Sequence, residues 1–162
     1  MRNWISRRGV SALALLLAVL ILPLSGVTPA LAATERGSPE EAIALVKRAV
    51  ELVKTAGTEA AYAAFNDPQG GFTDRDLYVF VIDFTGTTVA HGANKGLIGK
   101  TLLSVKDPEG KEFIKDMIAL AKEKGEGWVD YKWVNPSTKK IEAKSSYLNR
   151  VADTLVGVGI YK

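Results

Sequence analysis

Residues 77–82 read Leu-Tyr-Val-Phe-Val-Ile. β-Branched and aromatic residues favour strands, and apolar residues at successive positions predict a strand that is buried on both faces. This run therefore predicts a central strand of a sheet. The next four residues, Asp83-Phe84-Thr85-Gly86, are typical of a hairpin turn, and residues 87–90 predict the returning strand.

The chain after this hairpin predicts one helix and three more strands. The helix is expected to begin at Asp107-Pro108-Glu109 and to end at Gly125. Its apolar face is formed by Ile114, Met117, Ile118 and Ala121. Strands are expected at 127–134, 141–150 and 155–161, and the short turns between them favour an antiparallel meander.

The chain before the hairpin predicts helices. Ser38 is placed to cap a helix, Pro39 suits its first position, and Glu41 completes a capping box. An apolar stripe at helical spacing follows, and Gly57 is predicted to end this helix. A shorter helix is expected at 59–65, and residues 66–71 are rich in turn-forming types.

The order of elements is therefore helix, helix, two strands, helix, three strands. This order predicts an α+β domain in which helices pack on one face of a five-stranded antiparallel sheet. The domain is expected to span residues 38–162, after a flexible leader at residues 33–37.

Residues 1–32 have the three-part order of a secretory signal peptide. Three arginines precede an apolar run of about 15 residues, and Ala30-Leu31-Ala32 is a small-residue cleavage site. That run is shorter than the roughly 20 residues of a membrane-spanning helix. We expect cleavage before Ala33, a periplasmic or secreted product, and no stable membrane insertion afterwards. An uncleaved anchor remains the alternative, and the pair Arg7-Arg8 leaves Sec or twin-arginine export undecided.

Charge and composition exclude several classes of function. Without residues 1–32 the chain has 18 basic and 18 acidic residues, so it lacks the excess positive charge of a nucleic-acid-binding protein. It has no cysteine, so no disulfide or thiolate metal site is predicted. Asp67, Asp74 and Asp76 lack the spacing of a calcium loop and are interpreted as turn formers. No metal site and no cofactor is predicted.

The last third of the chain mixes aromatic residues with lysine along its predicted strands. Alternation along a strand puts Trp128 and Asp130 on one face, and Tyr131 and Trp133 on the other. A half-buried face of this composition suits a small polar ligand, since apolar walls exclude water and a few donors hold an anion. Cross-strand aromatic pairs with solvated lysines are the structural alternative.

Several linked segments resemble the single Cache domain of the second type. They are Asp76 to Asp83 with Gly86 and Ala90-His91, then Gly127 to Trp133 with Asn135-Pro136, then Lys144 to Tyr147, and finally Val156 to Tyr161. The resemblance implies a PAS-like sheet behind a long N-terminal helix, in an extracytoplasmic sensor of small molecules. It implies a small organic acid ligand of the acetate, propionate, lactate or pyruvate class, and a role in signal transduction or chemotaxis.

Most such domains lie between two membrane spans, ahead of a chemoreceptor or kinase output region. This sequence ends at Lys162, so it resembles the free-standing, exported members of the family. A membrane receptor or kinase is therefore the expected partner.

The resemblance and the strand parity together give the predicted ligand site. Its polar groups are Tyr78, Tyr131, Lys144 and Tyr147, its apolar walls are Phe80, Trp128 and Trp133, and His91 is an additional ligand contact. Lys144 is expected to meet the ligand carboxylate and the tyrosine hydroxyls to complete its binding. Trp128 and Trp133 have opposite parity, so only one should face the ligand. Lys144 and Tyr147 can share a pocket only if a bulge intervenes.

His91 has a second interpretation, as a loop histidine at the end of a strand. Two other functions also stay open. A small cell-envelope enzyme would use Asp130, His91 or Glu142 as acid or base, but the sequence shows no convincing pair of carboxyl groups, and we expect no enzyme. A protein-interaction module would bind no small molecule.

Overall fold

The computed structural model describes residues 35–162, and the predicted signal peptide lies outside them. The described chain forms two α-helices and six strands. Helix α1 is Pro39–Asn66 and helix α2 is Phe113–Lys124; the strands are β1 (Thr73–Asp74), β2 (Leu77–Asp83), β3 (Thr88–His91), β4 (Glu126–Val134), β5 (Ile141–Val151) and β6 (Thr154–Tyr161). A 3₁₀ turn at Lys95–Leu97 lies in the glycine-rich connection after β3.

The strands form one antiparallel sheet in the order β1-β2-β6-β5-β4, and β3 also pairs with β2. The long strands β4, β5 and β6 are consecutive neighbours, which confirms the predicted meander. The α+β class and the antiparallel sheet are confirmed. The predicted number of five strands was one too low, because β1 has only two residues and leaves no periodic pattern in the sequence.

Helix α1 begins as the sequence predicts. The Ser38 side chain accepts a hydrogen bond from the Glu41 N–H, and the Glu41 carboxylate accepts one from the Ser38 N–H. Gly57 interrupts the helical backbone, with φ +82° and ψ 167°, but the helical segments on its two sides form one long element. Among the described residues, no helix combines the length and apolar character that crossing a bilayer requires.

The two helices lie on opposite faces of the sheet, so the prediction that helices pack on one face was wrong. Val79 and Val81 pack with α1 residues, whereas Phe80 and Ile82 pack with α2 residues. The physical reason is visible in β2 itself: a strand that is apolar on both faces needs a cover on each. We call these two surfaces the α1 face and the α2 face.

Helix α2 begins at Phe113, six residues after the predicted start. The Asp107 side chain forms a turn and does not begin the helix, because its Oδ1 accepts hydrogen bonds from the N–H groups of Glu109 and Lys111. Its Oδ2 accepts a third bond, from the N–H of Lys132 in β4. Asp107 therefore ties the connection before α2 to strand β4.

Candidate functional site

A cavity lies between the α2 face of the sheet and helix α2. It measures about 20 Å³, which is room for about one water molecule. Its lining consists of Tyr78, Phe80, Ile82, Thr88, His91, Leu102, Phe113, Ile114, Met117, Tyr131 and Trp133. Most of these side chains are apolar or aromatic, as in sites for small ligands.

A wider pocket of about 250 Å³ adjoins this inner cavity. The two spaces share Tyr78, His91 and Trp133 as lining residues. The outer pocket is completed by the connection after β3 and by the turn between β4 and β5. These three shared side chains therefore separate the inner cavity from the outer pocket.

Lys144 is fully buried on the α2 face, beside this cavity. A Cβ atom at Gly159 would overlap the Lys144 side chain, so the lysine lies across β6 where that strand has no side chain. Its Nζ donates a hydrogen bond to the Tyr78 hydroxyl at 2.7 Å. The same nitrogen lies 4.1 Å from the centre of the Tyr78 ring and 4.8 Å from that of Tyr161, in the range of cation–π contacts.

The hydroxyl groups around Lys144 form a directed chain of hydrogen bonds. Tyr161 Oη donates to the Val134 carbonyl at 2.8 Å, which uses its single proton. The 3.2 Å contact between the Tyr78 and Tyr161 hydroxyls therefore has Tyr78 as its donor. Lys144 donates one bond to the Tyr78 oxygen, and the remaining Nζ protons of a charged Lys144 have no acceptor among residues 35–162.

Burial dominates the electrostatics of this cluster. It lowers the pKa of Lys144 well below its ordinary value, since an ammonium loses its hydration inside the protein. It raises the pKa values of Tyr78, Tyr131 and Tyr161, so their hydroxyls stay protonated. Titratable groups with such shifts, gathered at one cavity, are typical of functional sites.

His91 is the last residue of β3, and its side chain is buried at the boundary between the two pockets. Its Nδ1 accepts a hydrogen bond from the Asn94 N–H at 3.0 Å, which fixes the neutral tautomer with a proton on Nε2. Burial first, and the nearby Lys144 second, lower the pKa of His91 to about 4. His91 is therefore a neutral Nε2–H donor at pH 7.

Tyr131 and Trp133 form the wall nearest to helix α2. The Tyr131 ring stacks on Phe113 with centroids 4.5 Å apart, and its hydroxyl lies 2.9 Å from Ser146 Oγ. Trp133 meets the same phenylalanine edge-on at 5.4 Å. These contacts hold the two rings in place from the α2 side.

The structure brings six of the predicted site residues together on the α2 face: Tyr78, Phe80, His91, Tyr131, Trp133 and Lys144. Trp128 and Tyr147 are not among them. They contact each other on the α1 face, with ring centroids 5.4 Å apart. Strand β5 pairs in continuous register with both neighbours, so it has no bulge to turn Tyr147 toward Lys144.

Sequence reasoning did not find Gly157, Gly159, Tyr161 or Asp76. A Cβ at Gly157 would overlap the Phe80 ring, so the two glycines of β6 make room for Phe80 and Lys144. Glycines at alternate positions of a strand are a signal of such close approach. Asp76 was interpreted as a turn residue, but its side chain is buried beside β2.

The chain belongs to the single Cache domain 2 family, whose model matches residues 27–162. Methyl-accepting chemotaxis protein McpP of Pseudomonas putida is 31% identical over 90 residues, which are 54% of this chain and 16% of that protein. Sensor histidine kinase MctS of Rhizobium johnstonii is 36% identical over 89 residues, 54% of this chain and 19% of the kinase. The chain thus spans less than a fifth of each of these relatives.

A solved structure gives a similar result. It belongs to a Cache chemosensory domain whose structure was described as the basis for carboxylic acid recognition. The TM-score is 0.63 at 28% identity, over 75% of this chain and 91% of that one. The chain is thus a Cache sensor domain, homologous to regions of chemoreceptors and sensor kinases.

Proposed function

We propose that this protein binds a short-chain carboxylate outside the cytoplasm and passes the signal to a membrane receptor or kinase. The observation that carries the proposal is Lys144, a buried lysine without an ion-pair partner among residues 35–162. A buried cation is costly unless it is paired. A ligand carboxylate would supply the missing partner.

The surrounding groups suit a small monocarboxylate. Lys144 offers a charge-assisted hydrogen bond, and neutral His91 offers a second donor through Nε2. The aromatic rings of Phe80, Tyr131 and Trp133 exclude water and contact a short apolar tail.

The sizes of the two spaces indicate how the ligand enters. Acetate has four non-hydrogen atoms and needs more room than the inner cavity offers. The outer pocket is large enough and leads to the same three boundary residues. A ligand that enters there reaches Lys144 when the side chains of Tyr78, His91 and Trp133 move apart.

The similar proteins support the ligand class and the role. One related Cache domain was solved for its recognition of carboxylic acids. The two curated relatives are a chemotaxis protein and a sensor kinase. Export by the predicted signal peptide, with cleavage before Ala33, would place the protein in the periplasm or outside the cell, where it would meet external ligands.

The acid–base groups considered for an enzyme do not meet in one site. Asp130 is exposed and pairs with Lys162, whereas His91 is buried on the α2 face. Glu142 accepts hydrogen bonds from Thr138 and Asn135 in the turn between β4 and β5. This separation favours binding over catalysis.

The test is titration calorimetry of the purified protein with acetate, propionate, lactate and pyruvate. We expect binding of at least one, and a loss of at least 100-fold in affinity in Lys144→Met, which removes the cation but keeps a long apolar side chain. Tyr147→Phe is the matched control, because it alters the α1 face of the same strand. Absence of binding to all four acids would contradict the proposal and favour a protein-interaction module.

A further inference from the structure

Asp76 is a buried carboxylate outside the cavity lining. Its side chain is 1% exposed, and its Oδ1 accepts a hydrogen bond from the Gly37 N–H at 2.7 Å. Its Oδ2 is buried and has no hydrogen-bond partner among the described residues. Because an unpaired buried carboxylate oxygen is costly, another source of positive potential should stabilise it.

The sheet register places that carboxylate near Lys144. Val79 pairs with Val158, so the same register continued by three residues puts Asp76 opposite Tyr161. Tyr161 in turn pairs with Lys144. Extended one residue beyond the start of β2, this register sets Asp76 two strand spacings from Lys144, roughly 10 Å between backbones, and its parity with Tyr78 assigns its side chain to the α2 face.

Five titratable groups surround Lys144 on that face: Asp76 before β2, Tyr78 in β2, His91 in β3, Tyr131 in β4 and Tyr161 in β6. The tyrosines and the histidine are neutral near pH 7. Within this group Asp76 is the one carboxyl group.

We propose that Asp76 is the internal counter-ion of Lys144, and that it favours the charged ammonium in the ligand-free protein. The two groups do not form a contact ion pair among the described residues, and the hydrogen-bond partner of the Lys144 Nζ is the Tyr78 hydroxyl. This arrangement stabilises the ammonium from a distance and leaves its direct partner position open to an incoming anion.

The electrostatics of the cluster agree with this geometry. Burial lowers the pKa of Lys144, and the Asp76 charge acts in the opposite direction. The same charge raises the pKa values of Tyr78 and Tyr161, after the larger effect of burial on each. Asp76 thus opposes loss of the Lys144 proton and favours neutral tyrosines.

The inference extends the proposed function in one respect. If Lys144 is charged before the ligand arrives, a carboxylate binds with little proton uptake. If Asp76 is neutralised, more lysine is neutral in the free protein, and each ligand must bring a proton with it.

The first test needs no ligand, so its failure is distinct from failure of the proposed function. The Lys144 titration is followed by carbon NMR of labelled lysine Cε, with Lys144→Met to assign the signal. We expect Asp76→Asn to lower the Lys144 midpoint by about one pH unit, the size of one charge at such a distance in a protein interior. Asp153→Asn, which removes an exposed carboxylate at the opposite end of the sheet, should leave it unchanged. An unchanged midpoint in Asp76→Asn would overturn the proposal.

Asn keeps an oxygen for the Gly37 N–H, so this variant separates charge from fold. A double-mutant cycle, measured by thermal unfolding, distinguishes a charge interaction between Asp76 and Lys144 from a purely structural role of Asp76. We expect Asp76→Asn to lower the thermal midpoint when Lys144 is present, and to lower it much less in the Lys144→Met background. An equal decrease in both backgrounds would mean that Asp76 serves only the segment before α1.

The last test joins the inference to binding. Acetate titrations in buffers of different ionisation enthalpy measure the protons taken up per ligand. We expect uptake to be larger in Asp76→Asn than in the unaltered protein, and unaltered in Asp153→Asn. Equal proton uptake in all three proteins would contradict the role of Asp76. Absence of acetate binding in the unaltered protein would count against the proposed function, and the NMR titration would then decide the inference about Asp76.

Discussion

The two faces of the same sheet differ in what they bury. The α1 face contains valines and alanines that pack against a long helix. The α2 face buries a lysine, three tyrosine hydroxyls and a histidine beside a cavity. Strands β2, β5 and β6 contribute to both surfaces through alternate residues.

Under the proposed function, the difference gives one sheet two roles, stability on one face and ligand binding on the other. Burial of apolar side chains on the α1 face stabilises the fold by roughly 25 cal/mol per Å² of buried area. A desolvated ammonium on the α2 face costs free energy that this packing must offset. Changes on the α1 face should therefore alter stability, and changes on the α2 face should alter ligand affinity.

Leu45→Ala should produce the largest loss of stability, because Leu45 is buried in the cluster under α1. Removing a buried leucine side chain costs about 2–5 kcal/mol. Urea denaturation measures that loss. Titration calorimetry, at a temperature where the variant is folded, should give a carboxylate affinity within about twofold of that of the unaltered protein. A tenfold drop in affinity would show that the two faces are coupled.

Acidification should destabilise the α2 face through His91. Its folded-state pKa of about 4 lies below the ordinary value of 6.5, so the unfolded chain binds the proton more readily. The stability gained from a neutral His91 is present above about pH 6.5 and is lost as the pH falls toward 4, by about 3 kcal/mol in total.

Denaturation curves at several pH values test this prediction. His91→Asn keeps an acceptor for the Asn94 N–H but cannot take up the proton, so its stability should change little between pH 6.5 and 4.5. A profile equal to that of the unaltered protein would assign the acid sensitivity to other groups.

Gly159→Ala should disturb the site with a smaller effect on the fold. The new Cβ would overlap Lys144 and the Ser146 hydroxyl, so the lysine must leave its place above β6. We expect an overpacking cost of about 1–3 kcal/mol together with a loss of at least tenfold in carboxylate affinity. Ile160→Ala, the next residue on the other face, is the control and should leave the affinity nearly unchanged.

Trp128→Ala should have the smallest effect. Its ring is partly exposed and contacts Tyr147 on the α1 face. The loss of one aromatic pair costs about 0.5–1.5 kcal/mol beyond the buried area. Carboxylate affinity should stay within twofold, and a larger decrease would place Trp128 in the ligand site after all.

Strand parity proved informative for the candidate site. The alternation along β4 predicted that Trp128 and Trp133 point to opposite faces, and the structure has them so. The same reasoning predicted that Lys144 and Tyr147 need a bulge to meet, and β5 has none. The wider list, with both tryptophans and Tyr147, came from the family resemblance, and strand parity had already marked the two conflicts within it.

Short-range sequence patterns determined most of the helices and strands. The capping box at Ser38, the break at Gly57 and the apolar run of β2 each act within a few residues, so the sequence alone determined them. It also determined which strand residues share a face, because that alternation is a property of an extended chain.

Only the tertiary structure decided which helix and which distant side chains pack against each face of the sheet. The placement of α2 opposite α1, the position of Lys144 above Gly159 and the bond from the Gly37 N–H to the buried Asp76 join segments that are far apart in the chain. Such contacts depend on strand order and register, which follow from the packing of the whole domain and leave no periodic pattern in the residues themselves.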